Sequence, residues 1–328
     1  MLKIGIDENA YCKRYGFEKG LERMRAHGYE GLDYQEFLDT TTPLFEKSNH
    51  EFEEYLRAQR AAVEAAGIVI HQVHGPWRSP QDATEADRKE RFEKMSKSIA
   101  GAAILGSKHY IIHPIMPFGT KDVGHEKESY EMNLEFMNRL CNVGRENGVI
   151  VCFESMPFVN LSFASVQATL DFIKTINSDY FKMCLDTGHC TMFHTAPGDA
   201  ARLIGTEYIY ALHIHDNDGI KDRHQMPFSG VIDWVDFGKS LHEIGFDGVI
   251  SLETGVPESI PDALREYEEI GLAQKIRYIA DLAEGKLKWK KPGILTQTLC
   301  CAVGGINSVF QLRDSKTQVL GLFLHFQR

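Results

Sequence analysis

Four short apolar stretches of this chain each close on a side chain able to ligate a metal: residues 150–154 on Glu154, 182–186 on Asp186, 210–213 on His213 and 249–253 on Glu253. Three carboxylates and one imidazole make an oxygen-rich donor set. It suits a hard or borderline divalent cation, Mn²⁺ foremost, with Mg²⁺, Co²⁺ and Zn²⁺ also compatible. Carboxylates brought to one point repel one another unless a cation lies between them. A solvated carboxylate at one strand end is commonplace, whereas metal-capable residues at the ends of four successive strands form the pattern of a site.

Other histidines fall at comparable positions. His74 precedes Gly75-Pro76-Trp77, His113 precedes Pro114, His189 closes Asp186-Thr187-Gly188-His189, and His224 closes Asp222-Arg223-His224. His71, His109 and His215 are more readily hydrogen-bonded core residues. Because side chains alternate along a strand, His71 and His74, three positions apart, are expected on opposite faces.

For these residues to meet, the elements carrying them must end on one face. Eight short apolar runs alternate with helix-like stretches: 2–7, 31–34, 68–74, 110–113, 149–154, 183–186, 209–213 and 249–253. Thr84 with Asp87 reads as a helix start, with Phe92, Met95, Ile99 and Ala102 in helical spacing and Gly106 as the stop. Tyr130, Leu134, Met137 and Cys141 form a second stripe that stops at Gly148, and Phe52, Tyr55, Gln59 and Ala62 a third that stops at Gly67. Eight strand–helix units predict an α/β fold, a (β/α)8 TIM barrel, whose strand C-termini share one face. The barrel is expected over residues 1–286 as the catalytic domain. Residues 287–328 form a short C-terminal extension in which 298–306 and 319–326 are β-like or simply apolar. No G-x-G-x-x-G or Walker loop follows a strand, so no nucleotide cofactor is expected.

The 328 residues, 43% hydrophobic and 25% charged, can bury a large core. A net charge of −10 offers no basic surface for nucleic acid or anionic lipid. The seven cysteines are scattered without Cys-x-x-Cys spacing, against both a disulfide framework and a thiolate zinc site. The N-terminus lacks a signal-peptide pattern and no run reaches the roughly 20 apolar residues of a membrane span, so the expected location is cytoplasmic.

Over about residues 1–285 the chain resembles the xylose isomerase-like β/α barrels, which include sugar phosphate isomerases and epimerases, ketose 3-epimerases, inosose dehydratases and the endonuclease IV group. The resemblance rests on Phe153-Glu154, Leu185-Asp186-Thr187-Gly188-His189, Leu212-His213-Ile214-His215-Asp216-Asn217, Asp222-Arg223-His224, Gly230-Val231-Ile232-Asp233-Trp234 and Leu252-Glu253. It implies that Glu154, Asp186, His213 and Glu253 hold the metal, with Glu154 and Glu253 also acting as the acid and base that move a proton on a sugar carbon. It maps His74, His113, His189, Asp222 and His224 onto positions that hold further zinc ions in endonuclease IV-like enzymes and bind substrate hydroxyls in many sugar-active relatives.

The implied activity is a divalent-metal-dependent isomerase or epimerase acting next to the carbonyl of a sugar or keto-sugar. Three alternatives stand beside it. The chain is also similar to the catalytic subunits of bacterial C-glycoside deglycosidases, carbon–carbon lyases that act on a 3-keto-glycoside by elimination beside a small second subunit. His125 would then be an extra base, against its plainer reading as an exposed helix-start histidine. An endonuclease IV-like zinc phosphodiesterase and a non-catalytic sugar-binding barrel are the others. Against the nuclease stands the acidic turn Asp216-Asn217-Asp218-Gly219, poorly matched to a phosphate backbone, while Trp77, Phe118, Phe158 and Phe193 could wall a small pocket. The expected partners are a small sugar, keto-sugar or glycoside and a second copy or a small second subunit, with neither nucleic acid nor membrane.

Overall fold

A computed structural model describes residues 1–77 and 82–289, and the β-like stretches at 298–306 and 319–326 lie outside the described residues. Its strands are β1 (Ile4–Asp7), β2 (Gly31–Tyr34), β3 (Val69–His74), β4 (His109–Ile112), β5 (Ile150–Glu154), β6 (Phe181–Asp186), β7 (Ile209–His213) and β8 (Ile250–Leu252). All pairings are parallel, in the order β7-β6-β5-β4-β3-β2-β1-β8. The two ends of that order meet just beyond β7, where the Ile214 amide donates to the Ser251 carbonyl (2.9 Å) and the Glu253 amide to the Ile214 carbonyl (3.1 Å). The eight expected runs are thus the eight strands of a TIM barrel.

Helices α1 (Cys12–Tyr15), α2 (Phe17–Ala26), α3 (Asn49–Ala65), α4 (Glu85–Leu105), α5 (Glu126–Asn147), α6 (Val166–Ile176), α7 (Thr187–Met192), α8 (Pro197–Ile204), α9 (Trp234–Ile244) and α10 (Asp262–Ala283) connect and surround the strands. Thr84 and Asp87 form a reciprocal capping box at the start of α4, and Gly106 ends it in the left-handed conformation (φ 82°) that a side chain would disfavour. On α3 the buried residues are Phe52, Leu56 and Val63. Of the stripe read from the sequence only Phe52 is buried, because the true apolar row runs at 52, 56 and 63 and leaves Tyr55, Gln59 and Ala62 on its flank.

The main apolar core lies between strands and helices, while a small separate cluster of Ile111, Cys152, Cys184 and Ala211 fills the barrel interior. Directly above this plug, at the next inward position of each strand, stand the polar residues of the strand ends.

Two strands depart from simple alternation, β3 with consequences for the site. Leu32 pairs with Ile70 and Asp33 with Gln72, so His71 is an extra residue in β3, a β-bulge. Its imidazole turns into the barrel against Gly5 and Gly31, where an added Cβ would meet the ring at 2.6 and 2.7 Å. His71 and His74 therefore both face inward, contrary to the expectation of opposite faces. Tyr210 is likewise extra in β7, between Ile209, paired with Met183, and Ala211, paired with Cys184.

Candidate active site

Glu154, Asp186 and His213 are the last residues of β5, β6 and β7, and Glu253 follows β8 by one. One ligand atom from each comes within 4.8 Å of all the others. The Glu154 carboxylate lies at the centre, Oε1 at 2.9 Å from His213 Nδ1 and Oε2 at 2.9 Å from His113 Nε2. His213 Nδ1 also lies 3.3 Å from Glu253 Oε2, and His74 Nε2 is 3.9 Å from Glu154 Oε2. Glu154, Asp186 and His213 are fully buried.

Two buried acids and a third, Glu253, largely withdrawn from solvent cannot all ionise this close at low cost without compensation. Burial pushes the Glu253 carboxyl up to about 8, against the pull of His213 and with a further push from the Glu154 and Asp186 charges. Glu154 is held well below its ordinary value although burial opposes this, because His213 and His113 flank it. Among the described residues the charged partners of these three acids are all imidazoles. Glu253 Oε2 is buried with no hydrogen bond. A divalent cation would offset most of the charge of this set and take up that oxygen, so the residues fit a metal.

A second group continues outward from Asp186. Ligand atoms of His189, His215, Asp222 and His224 also lie within 4.8 Å of one another. Asp186 caps α7, its Oδ1 accepting the His189 amide at 2.6 Å, and its Oδ2 is 3.0 Å from His215 Nε2. His189 Nδ1 lies 2.6 Å from the Ser155 carbonyl and its Nε2 3.2 Å from Asp222 Oδ2, which is 3.2 Å from His224 Nε2 as well. Burial lowers His189, but Asp186 and Asp222 outweigh it and lift the imidazole to about 10. His224 has a left-handed backbone (φ 44°), uncommon for a residue with a side chain. It is held by its Nδ1 at 2.9 Å from the Glu253 carbonyl, by Thr254 Oγ1 donating to its own carbonyl, and by stacking on His215 at 4.1 Å between ring centroids.

All nine site residues read from the sequence therefore meet at one barrel face, in two adjoining groups. His215, read as a core histidine, is buried and hydrogen-bonded, but its partner is Asp186, so it belongs to the site. Asp33 and Gln72 were missed. Asp33 Oδ2 lies 3.1 Å from His213 Nε2 and accepts from Gln72 Nε2 at 2.8 Å. The available signal was a lone aspartate inside a four-residue apolar strand, level with Asp7 of β1.

Elsewhere the loops differ from the sequence reading. Asp216 does not line an acidic rim. Fully buried, it accepts from the Gly230 and Ile232 amides and from Trp234 Nε1, pinning the long β7–α9 loop. Asp218 is spent on the Ile220 and Lys221 amides and on Arg223. Of the acids in that turn region only Asp222 reaches the site. His125 is exposed at the start of α5, 3.0 Å from Glu128 and stacked on Phe118, in keeping with its plainer reading. Trp77 stands edge-on to His113 at 4.5 Å, and with Phe158 and Phe193 it packs on Met116, Met156, Leu161 and Ala164, an apolar wall beside the histidines. No helix among the described residues is long and apolar enough to cross a membrane.

Comparison with known proteins shows the same fold family. The chain is 29% identical over 280 residues to the uncharacterized protein MJ1311 of Methanocaldococcus jannaschii, covering 82% of this chain and 90% of that one. It is 26% identical over 202 residues to D-psicose 3-epimerase of Ruminiclostridium cellulolyticum, covering 59% of this chain and 66% of the epimerase. Among solved structures, the IOLI protein with a bound zinc atom matches at a TM-score of 0.69 and 18% identity, over 88% of this chain and all of that one. The family model described as xylose isomerase-like TIM barrel matches residues 21–280, and the chain belongs to that family.

Proposed function

We propose that this protein is a divalent-metal-dependent sugar isomerase or epimerase that moves a proton on the carbon next to a carbonyl. The observation that carries this reading is the convergence of Glu154, Asp186, His213 and Glu253 within 4.8 Å at the end of the barrel. Similarity to a D-psicose 3-epimerase supports a sugar as the substrate class.

Glu154, Asp186, His213 and Glu253 would hold the ion, which when bound supplies Lewis acidity at a carbonyl oxygen. Glu154 and Glu253 come from β5 and from the end of β8. One takes the proton from the carbon, whose bonding pair stays on the substrate as an enediolate, and the other returns a proton to the same or the neighbouring carbon. His113 keeps Glu154 oriented through its 2.9 Å contact. His74, His189, Asp222 and His224 line the remaining polar side, where they can bind hydroxyls, and the Trp77–Phe158–Phe193 wall limits access of water. Mn²⁺ is the ion we favour for this oxygen-rich set.

The test is product analysis. Purified protein reconstituted with Mn²⁺ and incubated with ketoses and keto-sugars should yield an isomer or epimer, and chelation should stop its formation. Absence of any new sugar across such a panel would count against the proposal.

One observation favours a second reading. The His189–His215–Asp222–His224 group could hold another ion, as a phosphodiesterase with several zincs requires. Elemental analysis separates the two, because about one ion per chain supports the sugar enzyme and three zincs the phosphodiesterase.

A further inference from the structure

His213 is bracketed by carboxylates on both ring nitrogens. Its Nδ1 faces Glu154 Oε1 at 2.9 Å and Glu253 Oε2 at 3.3 Å, and its Nε2 faces Asp33 Oδ2 at 3.1 Å. An imidazole that ligates through Nδ1 must carry its proton on Nε2, and a carboxylate beside Nε2 enforces that tautomer while raising the basicity of the ligating nitrogen.

We propose that Asp33 is the positioning residue of the metal centre, fixing the tautomer and ring plane of His213 so that Nδ1 presents its lone pair to the ion. The inference rests on the metal-site reading above.

Three features support it. Asp33, Gln72 and His213 are all essentially inaccessible to solvent, so the contacts are not shared with bulk water. Asp33 Oδ2 is itself fixed by the Gln72 amide at 2.8 Å, and Gln72 reaches Asp33 because the β3 bulge at His71 pairs it directly with that residue. The His213 ring also lies parallel to His74, 10° between planes at 5.6 Å, which restrains its rotation. Asp33 takes no part in the ligand set, and its carboxylate stands on the far side of the imidazole.

The experiment is calorimetric titration of Mn²⁺ into chelator-stripped full-length protein, comparing the natural chain with Asp33→Asn, Asp33→Ala and Gln72→Leu. Each variant is checked for native circular dichroism and a cooperative melt before titration. Loss of the charge in Asp33→Asn should weaken Mn²⁺ binding by about 10- to 100-fold, the range for changes behind a ligating histidine. Asp33→Ala should lose at least as much, and Gln72→Leu less.

A readout that a merely structural role would not move is the ¹⁵N–¹H spectrum of the histidine rings in the Zn²⁺-loaded protein. It should show His213 protonated on Nε2 in the natural chain, with that resonance shifted or lost in Asp33→Asn. Folded Asp33 variants that bind Mn²⁺ within twofold of the natural chain, with an unchanged His213 signal, would overturn this inference and leave the metal site standing. A natural chain that binds no divalent ion would overturn both. Should Asp33→Ala fail to fold, the isosteric Asp33→Asn still decides.

Discussion

Among single residues, Glu154 carries two proposed roles at once. It contacts His113 and His213 at 2.9 Å each and is proposed both to hold the ion and to carry the proton. Glu154→Gln keeps the shape and removes the charge, and should lower the rate of sugar interconversion by at least about 10²-fold, as measured by steady-state kinetics with Mn²⁺. Gly188 is a packing test of the same site, since a Cβ there would overlap the His215 ring. Gly188→Ala should cost about 1–3 kcal/mol in urea denaturation, because His215 cannot move without leaving Asp186.

His71 gives a pH test away from the proposed ligands. Burial pushes its imidazole down to about 4 from an ordinary 6.5, against the pull of Asp33. Between those values the unfolded chain binds the proton and the folded one does not, so stability rises with pH across the window. Acidification from about pH 6.5 to 4 should therefore remove about 3 kcal/mol that His71→Gln does not lose, as read from the difference in urea midpoints at several pH values. The four strand-end residues were legible because a barrel sends successive strand ends to one place. Asp33 was not, because nothing in Gly-Leu-Asp-Tyr says which side chain points inward. His71 was misread because a one-residue bulge leaves no periodic trace in so short a strand.

At the level of elements, local capping chemistry and long-range positioning separate cleanly. Thr84 and Asp87 cap α4 on the outer layer. Thr84→Ala should therefore cost about 1 kcal/mol of stability while leaving Mn²⁺ affinity unchanged, checked by denaturation and titration of the same preparation. This box and the glycine stops of α4 and α5 were readable because they depend on neighbours within a turn. The α3 stripe was only partly legible because its face is chosen by what it packs against: Leu56 and Val63 are fully buried, whereas Tyr55 and Ala62 pack on the edge of the core and stay half-buried. The loops were the least legible. Asp216 looks like a solvent-facing acid until the distant Gly230, Ile232 and Trp234 donors are folded onto it.

For the whole molecule, the barrel gathers buried acids at the end of its lumen and leaves their charge to be balanced. An ion bound only by the folded state adds stability as its concentration exceeds its dissociation constant, about 3 kcal/mol at a hundredfold excess. Chelation should therefore lower the melting temperature, and Mn²⁺ should restore it. The central claim, proton transfer at carbon, is tested most directly by NMR of a ketose or keto-sugar substrate after incubation with Mn²⁺-loaded protein in D₂O. Carbon-bound deuterium beside the carbonyl, absent with chelator and with Glu154→Gln, is the expected result. A substrate panel that returns with no deuterium on carbon, from protein shown to hold its ion, would contradict it.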